Sequence, residues 1–547
     1  MNDPEGRHPS AKKSAASGFI VIAAAKLFFM FSGWLLYFLL PRLFESSERW
    51  GTYVLVSSWV SLIDNVIVSG TVQGVSHFVA QHTYAAADVK RTALRFHSWC
   101  GLGISAAFFC CATPIAHLLR DPALVAPLRS AAGIIACYSF YSIYVGVANG
   151  RQCFTKQAAL DGVFAAMRVS GILLAVYFGL GVVGAFVGWT IAAVLILAIA
   201  IFTIRTEPSR TGTSTQLSQA SLFRYVSQLL IYTFLINVIL RTDLYVLKRG
   251  ATDVIFAATK LSQQTAVATA LAGYYGICQA LAMIPYQAIF ALTFIIFPIL
   301  SKRSRAVLSV EEQCRRSRYI SQALRFTLLL SVAIALPLIV APTQAIRILY
   351  PARFEIAGPA LRFSALALVA FSMLSVTCTV INALNETKQS IVVALTTTTL
   401  SITCNLVAFK MLKRHVLTAG QLLITAPGST TQTDQTVAEL LARIPLLTAP
   451  AIATAIAVTA GLSLSLFFLY RTTKAVLPPS TILRVFLAAA LPCMIYMFLP
   501  QSIARVINQG RKLASLATCM AISCTYLLAL LMLREITVSD IAILKRK

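Results

Sequence analysis

The sequence predicts an all-α polytopic membrane protein with about 14 transmembrane helices, and composition and spacing support this. Hydrophobic residues make up 58% of the 547 residues, charged residues only 12%, and the mean hydropathy is +0.78. Roughly a quarter of the residues in a soluble domain are charged, so this chain has too few to cover itself in water. The apolar residues also occur in runs of about 20, the length at which a helix crosses a bilayer core of roughly 30 Å.

Each apolar run is expected to be a helix, because lipid offers no partners to the backbone and the runs lack the alternation of barrel strands. The N-terminal segment up to Ser17 is polar and basic. No small-residue cleavage site follows it, so the first span is expected to remain in the mature protein. Spans are expected near residues 17–40, 52–74, 95–119, 123–148, 155–178, 181–203, 222–247, 271–299, 320–342, 360–382, 389–410, 446–470, 481–500 and 512–533.

The positions of lysine and arginine in the loops predict that both termini are cytoplasmic. The strongest signal is the loop between the eighth and ninth spans, because basic loops stay on the cytoplasmic side. An even number of spans then returns the basic C-terminal tail to the same side. The net charge of +27 is spread over many short loops, which suits anionic lipid headgroups and not nucleic acid. The basic residues of that loop are Lys302, Arg303, Arg305, Arg315, Arg316 and Arg318.

The polar residues form no motif of a known enzyme class. The twelve cysteines and six histidines are scattered, so neither disulfides nor a zinc site is expected. There is no nucleotide-binding loop and no hydrolase motif such as G-x-S-x-G or H-E-x-x-H. We therefore expect a protein that is not an enzyme and has no cofactor or metal. Its energy is expected to come from an ion gradient, the membrane potential or a partner.

Weak internal similarity divides the spans into two pseudo-symmetric six-helix bundles followed by two C-terminal helices. Spans one and two, like spans seven and eight, read as a long apolar span, a charged turn, then glycine with aromatic residues. Spans six and twelve are both rich in small residues, which suits close packing. The expected domains are an N-terminal lobe, 1–206, a C-terminal lobe, 207–475, and two additional helices with a basic tail, 476–547. Insertions on the outer face are expected near 250–270 and 413–444.

Several short motifs occur in the order found in one family of membrane proteins. The first is the turn from Pro41-Arg42-Leu43-Phe44 to Arg49-Trp50-Gly51-Thr52-Tyr53. The others are Arg241-Thr242-Asp243-Leu244, Phe297-Pro298-Ile299-Leu300-Ser301 and Ala383-Leu384-Asn385-Glu386-Thr387-Lys388. With these motifs the chain resembles the bacterial polysaccharide-exporter proteins, the O-antigen-type lipid-linked oligosaccharide flippases of the multidrug/oligosaccharidyl-lipid/polysaccharide superfamily.

This resemblance implies two lobes around a central cavity that opens alternately to each side of the bacterial inner membrane. The implied function is to flip undecaprenyl-pyrophosphate-linked oligosaccharide from the inner to the outer leaflet for cell-surface polysaccharide synthesis. Implied partners are that lipid-linked oligosaccharide, membrane lipids, a polysaccharide polymerase and glycosyltransferases. Relatives that flip the peptidoglycan precursor lipid II carry an arginine-rich first helix. The matching region here has only Lys26, which disfavours that assignment.

Two alternative functions are open. A multidrug or metabolite exporter of the same superfamily would place carboxylates in its cavity, because its substrates are cations. A membrane glycosyl polymerase or ligase would be an enzyme with catalytic residues on a large outer loop. The longest outer loop here is mostly Thr, Gln and Ala. The deep cations Lys26 and Arg168 favour an anionic substrate and therefore the flippase.

The first candidate site residues are Lys26 and Asp64, predicted at similar depths in the first two spans. Intramembrane charges cost about 2.5–3.5 kcal/mol each on insertion scales, so they normally face a cavity or one another. One interpretation is a cation for the pyrophosphate with a carboxylate that releases it on protonation. The other is a structural ion pair.

Three further candidate substrate ligands are Arg168, Arg241 and Asp243. Arg168 suits a bidentate contact with phosphate, but Asp161 lies two turns away on the same face and is an alternative partner. Arg241 and Asp243 are two residues apart and cannot share a helix face. Their position near the predicted end of the seventh span is also typical of interfacial residues. Tyr275, in the eighth span, is either a sugar-stacking or an interfacial tyrosine.

Overall fold

The computed structural model describes residues 9–81, 85–205, 219–258, 264–301, 310–384, 386–419, 444–498 and 512–535. Within these ranges the chain is helical almost throughout, with two short 3₁₀ turns and no strand. The α-helices are α1 (Pro9–Leu43), α2 (Ser47–Ala80), α3 (Ala86–Leu118), α4 (Val125–Gly150), α5 (Phe154–Tyr177), α6 (Gly181–Thr203), α7 (Gln219–Ala258), α8 (Gln264–Ser301), α9 (Val310–Val340), α10 (Pro342–Leu349), α11 (Gly358–Ala383), α12 (Thr387–Ala419), α13 (Thr448–Thr473), α14 (Pro479–Met497) and α15 (Lys512–Met532).

Every predicted span coincides with one of the long helices. Among the described residues, thirteen helical segments are long and apolar enough to cross a membrane, and α1 adds a shorter apolar part at Leu27–Leu43. Large apolar side chains also face outwards, such as Trp99, Phe202 and Met532, which are 82%, 69% and 81% exposed. Lipid tails match such a surface, whereas a soluble monomer rarely exposes large apolar patches. The predicted fold class is confirmed.

Residues Met1–Arg241 form one compact unit. In it α4 packs against α2, α3 and α6, while α5 packs against α1 and α6. The buried His97 of α3 joins three of these helices, because its two ring nitrogens bond to Thr71 of α2 at 3.0 Å and Ser139 of α4 at 2.7 Å. A backbone crossing at Gly171 and Gly188 brings α5 against α6.

Residues Thr242–Lys547 form the second compact unit. There α11 packs against α8, α9 and α13, and α12 packs against α13. Gly250 of α7 also lies against Phe409 of α12. These pairs repeat those of the first unit if α7, α8, α9, α11, α12 and α13 are matched with α1 to α6. The last two helices, α14 and α15, pack on each other and on α9.

The two helices that flank the first expected insertion are longer than the sequence predicted. Residues 250–258 continue α7 and residues 264–270 open α8, so most of the insertion expected near 250–270 is part of these helices. Consequently Arg241 and Asp243 lie inside α7 and not at its end. Residues 413–419 extend α12, and residues 420–443 lie outside the described part. Residues 1–8 and 536–547 lie outside it too, so the orientation of the termini and the domain boundaries remain predictions.

Candidate functional site

Arg168, near the middle of α5, is a cation surrounded by aromatic rings. Its guanidinium carbon lies 4.7 Å from the ring centre of Phe29 on α1 and 5.6 Å from that of Trp189 on α6. Its Nε is buried and has no hydrogen-bond acceptor. A β-carbon added at Gly33 of α1 would lie 3.3 Å from the Arg168 Nη2. A residue without a side chain at this position therefore leaves room for the guanidinium. Both ring contacts are cation–π interactions.

Tyr138 of α4 is the polar neighbour of this arginine. Its hydroxyl accepts a 2.7 Å hydrogen bond from the indole Nε1 of Trp189, and the Arg168 guanidinium is close enough to act on it electrostatically. The Phe164 ring meets the Tyr138 ring edge-on, with 5.1 Å between ring centres. Four helices, α1, α4, α5 and α6, therefore fix the position of the guanidinium.

Asp64, in the middle of α2, is a buried carboxyl group without a hydrogen-bond partner among the described residues. The residue is 5% exposed, and neither carboxylate oxygen has a donor within reach. It is close enough to Tyr138 and Cys137 to act on both electrostatically. An isolated charge buried in this way is very costly. The group is therefore suited to bind a proton or another cation.

The other candidates of the first unit are placed less fully. Lys26 belongs to α1, but its side chain lies outside the described part of the structure, so its pairing with Asp64 remains a prediction. Asp161 accepts a 3.5 Å hydrogen bond from the Tyr141 hydroxyl. Arg168 does not pair with Asp161, and no carboxylate among the described residues forms an ion pair with it.

Asp243 lies in the second unit and is fully engaged. Its Oδ1 accepts from the Gln279 amide at 2.8 Å and from the Leu244 backbone at 2.8 Å, and its Oδ2 accepts from the Tyr275 hydroxyl at 2.8 Å. Both Asp243 and Tyr275 are buried. Tyr275 is thus neither interfacial nor free to stack on a sugar, because it joins α8 to α7. Arg241 is half-buried two residues earlier on α7.

Of the five residues predicted from the sequence, Arg168 and Asp64 both act electrostatically on Tyr138. Asp243 occupies a separate network in the second unit. The sequence analysis missed Tyr138, Phe29 and Trp189, whose roles depend on three different helices meeting at one point. Their aromatic character was visible in the sequence, but nothing along the chain distinguished them from ordinary packing residues.

Comparisons with known proteins agree with this architecture. Residues 39–355 match the profile of a family described as polysaccharide biosynthesis protein. No curated protein sequence matches the chain. Among solved structures, the fold is similar to that of the lipid II flippase MurJ in its inward closed conformation, with a TM-score of 0.67 and 15% identity over 94% of this chain and 99% of the other.

Transporters of the MOP superfamily are similar as well. An inward-facing multidrug resistance MATE family transporter gives a TM-score of 0.57 and 12% identity, over 83% of this chain and 95% of the other. MATE in the straight conformation gives 0.52 and 12%, over 85% and 96%. At such low identity these similarities establish the fold alone, whereas the profile covers more than half of the chain. The chain belongs to the polysaccharide biosynthesis protein family and has the fold of the MOP-superfamily transporters.

Proposed function

We propose that this protein is a flippase that moves undecaprenyl-pyrophosphate-linked oligosaccharide from the inner to the outer leaflet by alternating access. The observation that carries the proposal is Arg168, a cation inside a transmembrane unit that no described carboxylate neutralises. Membership of the polysaccharide biosynthesis family supports a saccharide-linked substrate. The fold supports transport rather than catalysis, since the similar structures are a flippase and transporters.

In this proposal, Arg168 binds the pyrophosphate group of the substrate. Phe29 and Trp189 lie within cation–π distance of its guanidinium, and its Nε, which has no acceptor among the described residues, can donate to a phosphate oxygen. Arginine presents its N–H donors in a planar fork that matches phosphate oxygens in pairs. These ring contacts also restrict the Arg168 side chain, so less side-chain conformational entropy is lost when a ligand binds.

In this proposal, protonation of Asp64 couples transport to a proton gradient. Its carboxyl has no hydrogen-bond partner among the described residues of the unit, so gain or loss of a proton there changes the charge near Tyr138 and Arg168 by one. The ionised carboxylate repels a nearby anion, whereas the protonated, neutral carboxyl does not. A proton gradient would then bias binding and release of the pyrophosphate on the two sides.

The proposed setting is the bacterial inner membrane with both termini in the cytoplasm, and a polysaccharide polymerase and glycosyltransferases as partners. The basic cluster at 302–318 supports this orientation, because such loops resist translocation. Cysteines introduced at Ser301 and Ser317 should react with a membrane-impermeant thiol reagent only from the cytoplasmic side. Labelling from the outside alone would reverse the proposed orientation.

The flippase proposal is tested in liposomes that contain the purified protein and a fluorescent lipid-linked oligosaccharide. We expect translocation without ATP, since the sequence has no nucleotide-binding loop. Arg168→Ala should abolish it, Arg168→Lys should retain part of it, and Arg91→Ala, at an exposed arginine of α3, should retain all of it. Wild-type flipping by a well-folded Arg168→Ala protein, or a requirement for ATP, would refute the proposal.

One observation favours the alternative of a cation exporter. The unpartnered carboxyl of Asp64 is the kind of group that attracts a small organic cation. The same liposomes should then accumulate ethidium in a pH gradient, and Asp64→Asn should stop it. We expect no such accumulation from the wild-type protein, because Arg168 would repel a cation from the same unit.

A further inference from the structure

A small cavity lies in the second unit at the C-terminal end of α9. Its volume is about 170 Å³. The C-terminal end of α14 closes one side, and the first turns of α10 and α11 form the rest. The principal lining residues are Val340, Pro342, Thr343, Pro359, Arg362 and Tyr496.

Arg362 is the charged group of this cavity. Its Nε donates a 2.9 Å hydrogen bond to the Ile339 carbonyl, which anchors the side chain at the end of α9. The residue is exposed, and it forms no ion pair with any carboxylate in the part of the chain that the structure describes. Arg362 therefore lines the cavity with a charge that no described carboxylate neutralises.

Hydroxyl groups and apolar walls complete the cavity. Thr343 and Tyr496 each bring a hydroxyl, which can donate to an anion. Val340, Pro342 and Pro359 form apolar walls, and the lower dielectric beside them strengthens an ionic contact relative to water. The two helices that begin here add the positive ends of their dipoles to the same region.

An acidic side chain that contacts α10 is already neutralised. Glu355 receives two hydrogen bonds from Arg347, at 2.8 and 2.6 Å. These bonds raise the pKa of the Arg347 guanidinium, although burial opposes them, and the nearby Tyr496 hydroxyl adds to the rise. The surroundings of the cavity thus present net positive charge, with no free carboxylate among these neighbours to repel an anion.

We propose that this cavity binds a phosphate group, and that Arg362 is its principal ligand. The volume is below the roughly 300–1,000 Å³ of pockets for drug-sized ligands, so a single phosphate fits while a sugar chain does not. Either the head group of an anionic phospholipid or free inorganic phosphate would supply that chemistry. The site is independent of the flippase proposal, because it uses none of the residues assigned to transport.

The test is native mass spectrometry of the full-length protein, with phosphatidylglycerol or inorganic phosphate added. Wild-type protein should retain one more phosphatidylglycerol than Arg362→Gln, and its affinity should be about tenfold higher, since a charge-assisted hydrogen bond is lost. Tyr496→Phe should reduce affinity less. Arg471→Gln, which removes an exposed arginine at the end of α13, should bind as the wild type does.

Two results separate the sources of the phosphate. Displacement of the lipid by millimolar inorganic phosphate would identify the free ion as the ligand, while retention would identify the lipid head group. Equal binding of both probes by the wild type and a well-folded Arg362→Gln protein would overturn the proposal, whatever the result of the transport assays.

Discussion

Among single residues, Tyr138 interacts with several polar side chains of the first unit at once. Its hydroxyl accepts a 2.7 Å hydrogen bond from the Trp189 indole N–H. The charges of Arg168 and Asp64 also act on this hydroxyl. Tyr138→Phe leaves a buried N–H without an acceptor, which costs about 1–3 kcal/mol. We expect a lower thermal midpoint in detergent and altered Trp189 fluorescence. Tyr177→Phe, at a residue that is 74% exposed, should change neither, and equal midpoints for both variants would contradict this role.

Asp64 and Asp243 are both buried, but they differ in their hydrogen bonds, so the same substitution should affect them oppositely. Asp243 accepts three hydrogen bonds, and Asp243→Asn should destabilise the protein by about 1–3 kcal/mol, because an amide cannot replace a carboxylate with two accepting oxygens. Asp64→Asn should leave stability unchanged or increase it, because Asp64 accepts no hydrogen bond from the described residues.

Thermal midpoints of the two asparagine variants, measured side by side in one detergent, test this contrast. Transport by Asp64→Asn should also lose its dependence on pH, whereas Asp243→Asn should keep it. A larger loss of stability in Asp64→Asn than in Asp243→Asn would show that the Asp64 carboxyl has a structural partner.

For helices, the sequence was sufficient to predict where each long membrane-spanning helix lies, although several of these helices extend beyond the predicted span. Each span is recognisable on its own, because lipid forces every helix to satisfy its own backbone and to be apolar over one bilayer thickness. Side-chain partners were not predictable in the same way. Asp243 was placed at a helix end because Arg241 and Asp243 interrupt an apolar run, and its partners Tyr275 and Gln279 lie 32 and 36 residues away on α8.

The crossing of α5 and α6 depends on glycine. A β-carbon on Gly171 would lie 2.7 Å from the Gly188 carbonyl oxygen, closer than atoms of two helices can approach. Gly171→Ala should therefore push α5 away from α6 and lower the thermal midpoint. Gly162→Ala on the same helix has nothing within 4 Å, and should stabilise by about 0.5–1 kcal/mol through helix propensity. Similar midpoints for the two variants would rule out a tight crossing.

Across the whole molecule, the repeated packing of the two units leaves α14 and α15 as additional helices that need their own attachment. Part of it is apolar, where Ile522 and Tyr526 of α15 pack with Leu329 of α9. The other part is the buried Glu535, just after α15. Its carboxylate accepts from Arg325 of α9 at 2.7 Å, and from Thr481 and Arg484 of α14 at 2.7 and 3.0 Å. One carboxylate thus joins three helices.

This carboxylate should make the attachment sensitive to acid. Burial alone would raise the pKa of Glu535, but the hydrogen bonds from Thr481 and Arg484 and the charge of Arg325 outweigh it, so the pKa lies below its ordinary value of 4.5. A group with a lowered pKa stabilises the fold fully at pH values above its ordinary pKa, and that contribution is lost as the pH falls through the lowered pKa.

Thermal midpoints should therefore fall below about pH 4.5 more steeply in the wild type than in Glu535→Gln. At neutral pH Glu535→Gln should be less stable by about 1–3 kcal/mol, while Glu386→Gln, at an exposed glutamate, should follow the wild type at every pH. Parallel pH curves for wild type and Glu535→Gln would mean that the Glu535 carboxylate does not contribute to holding the last two helices.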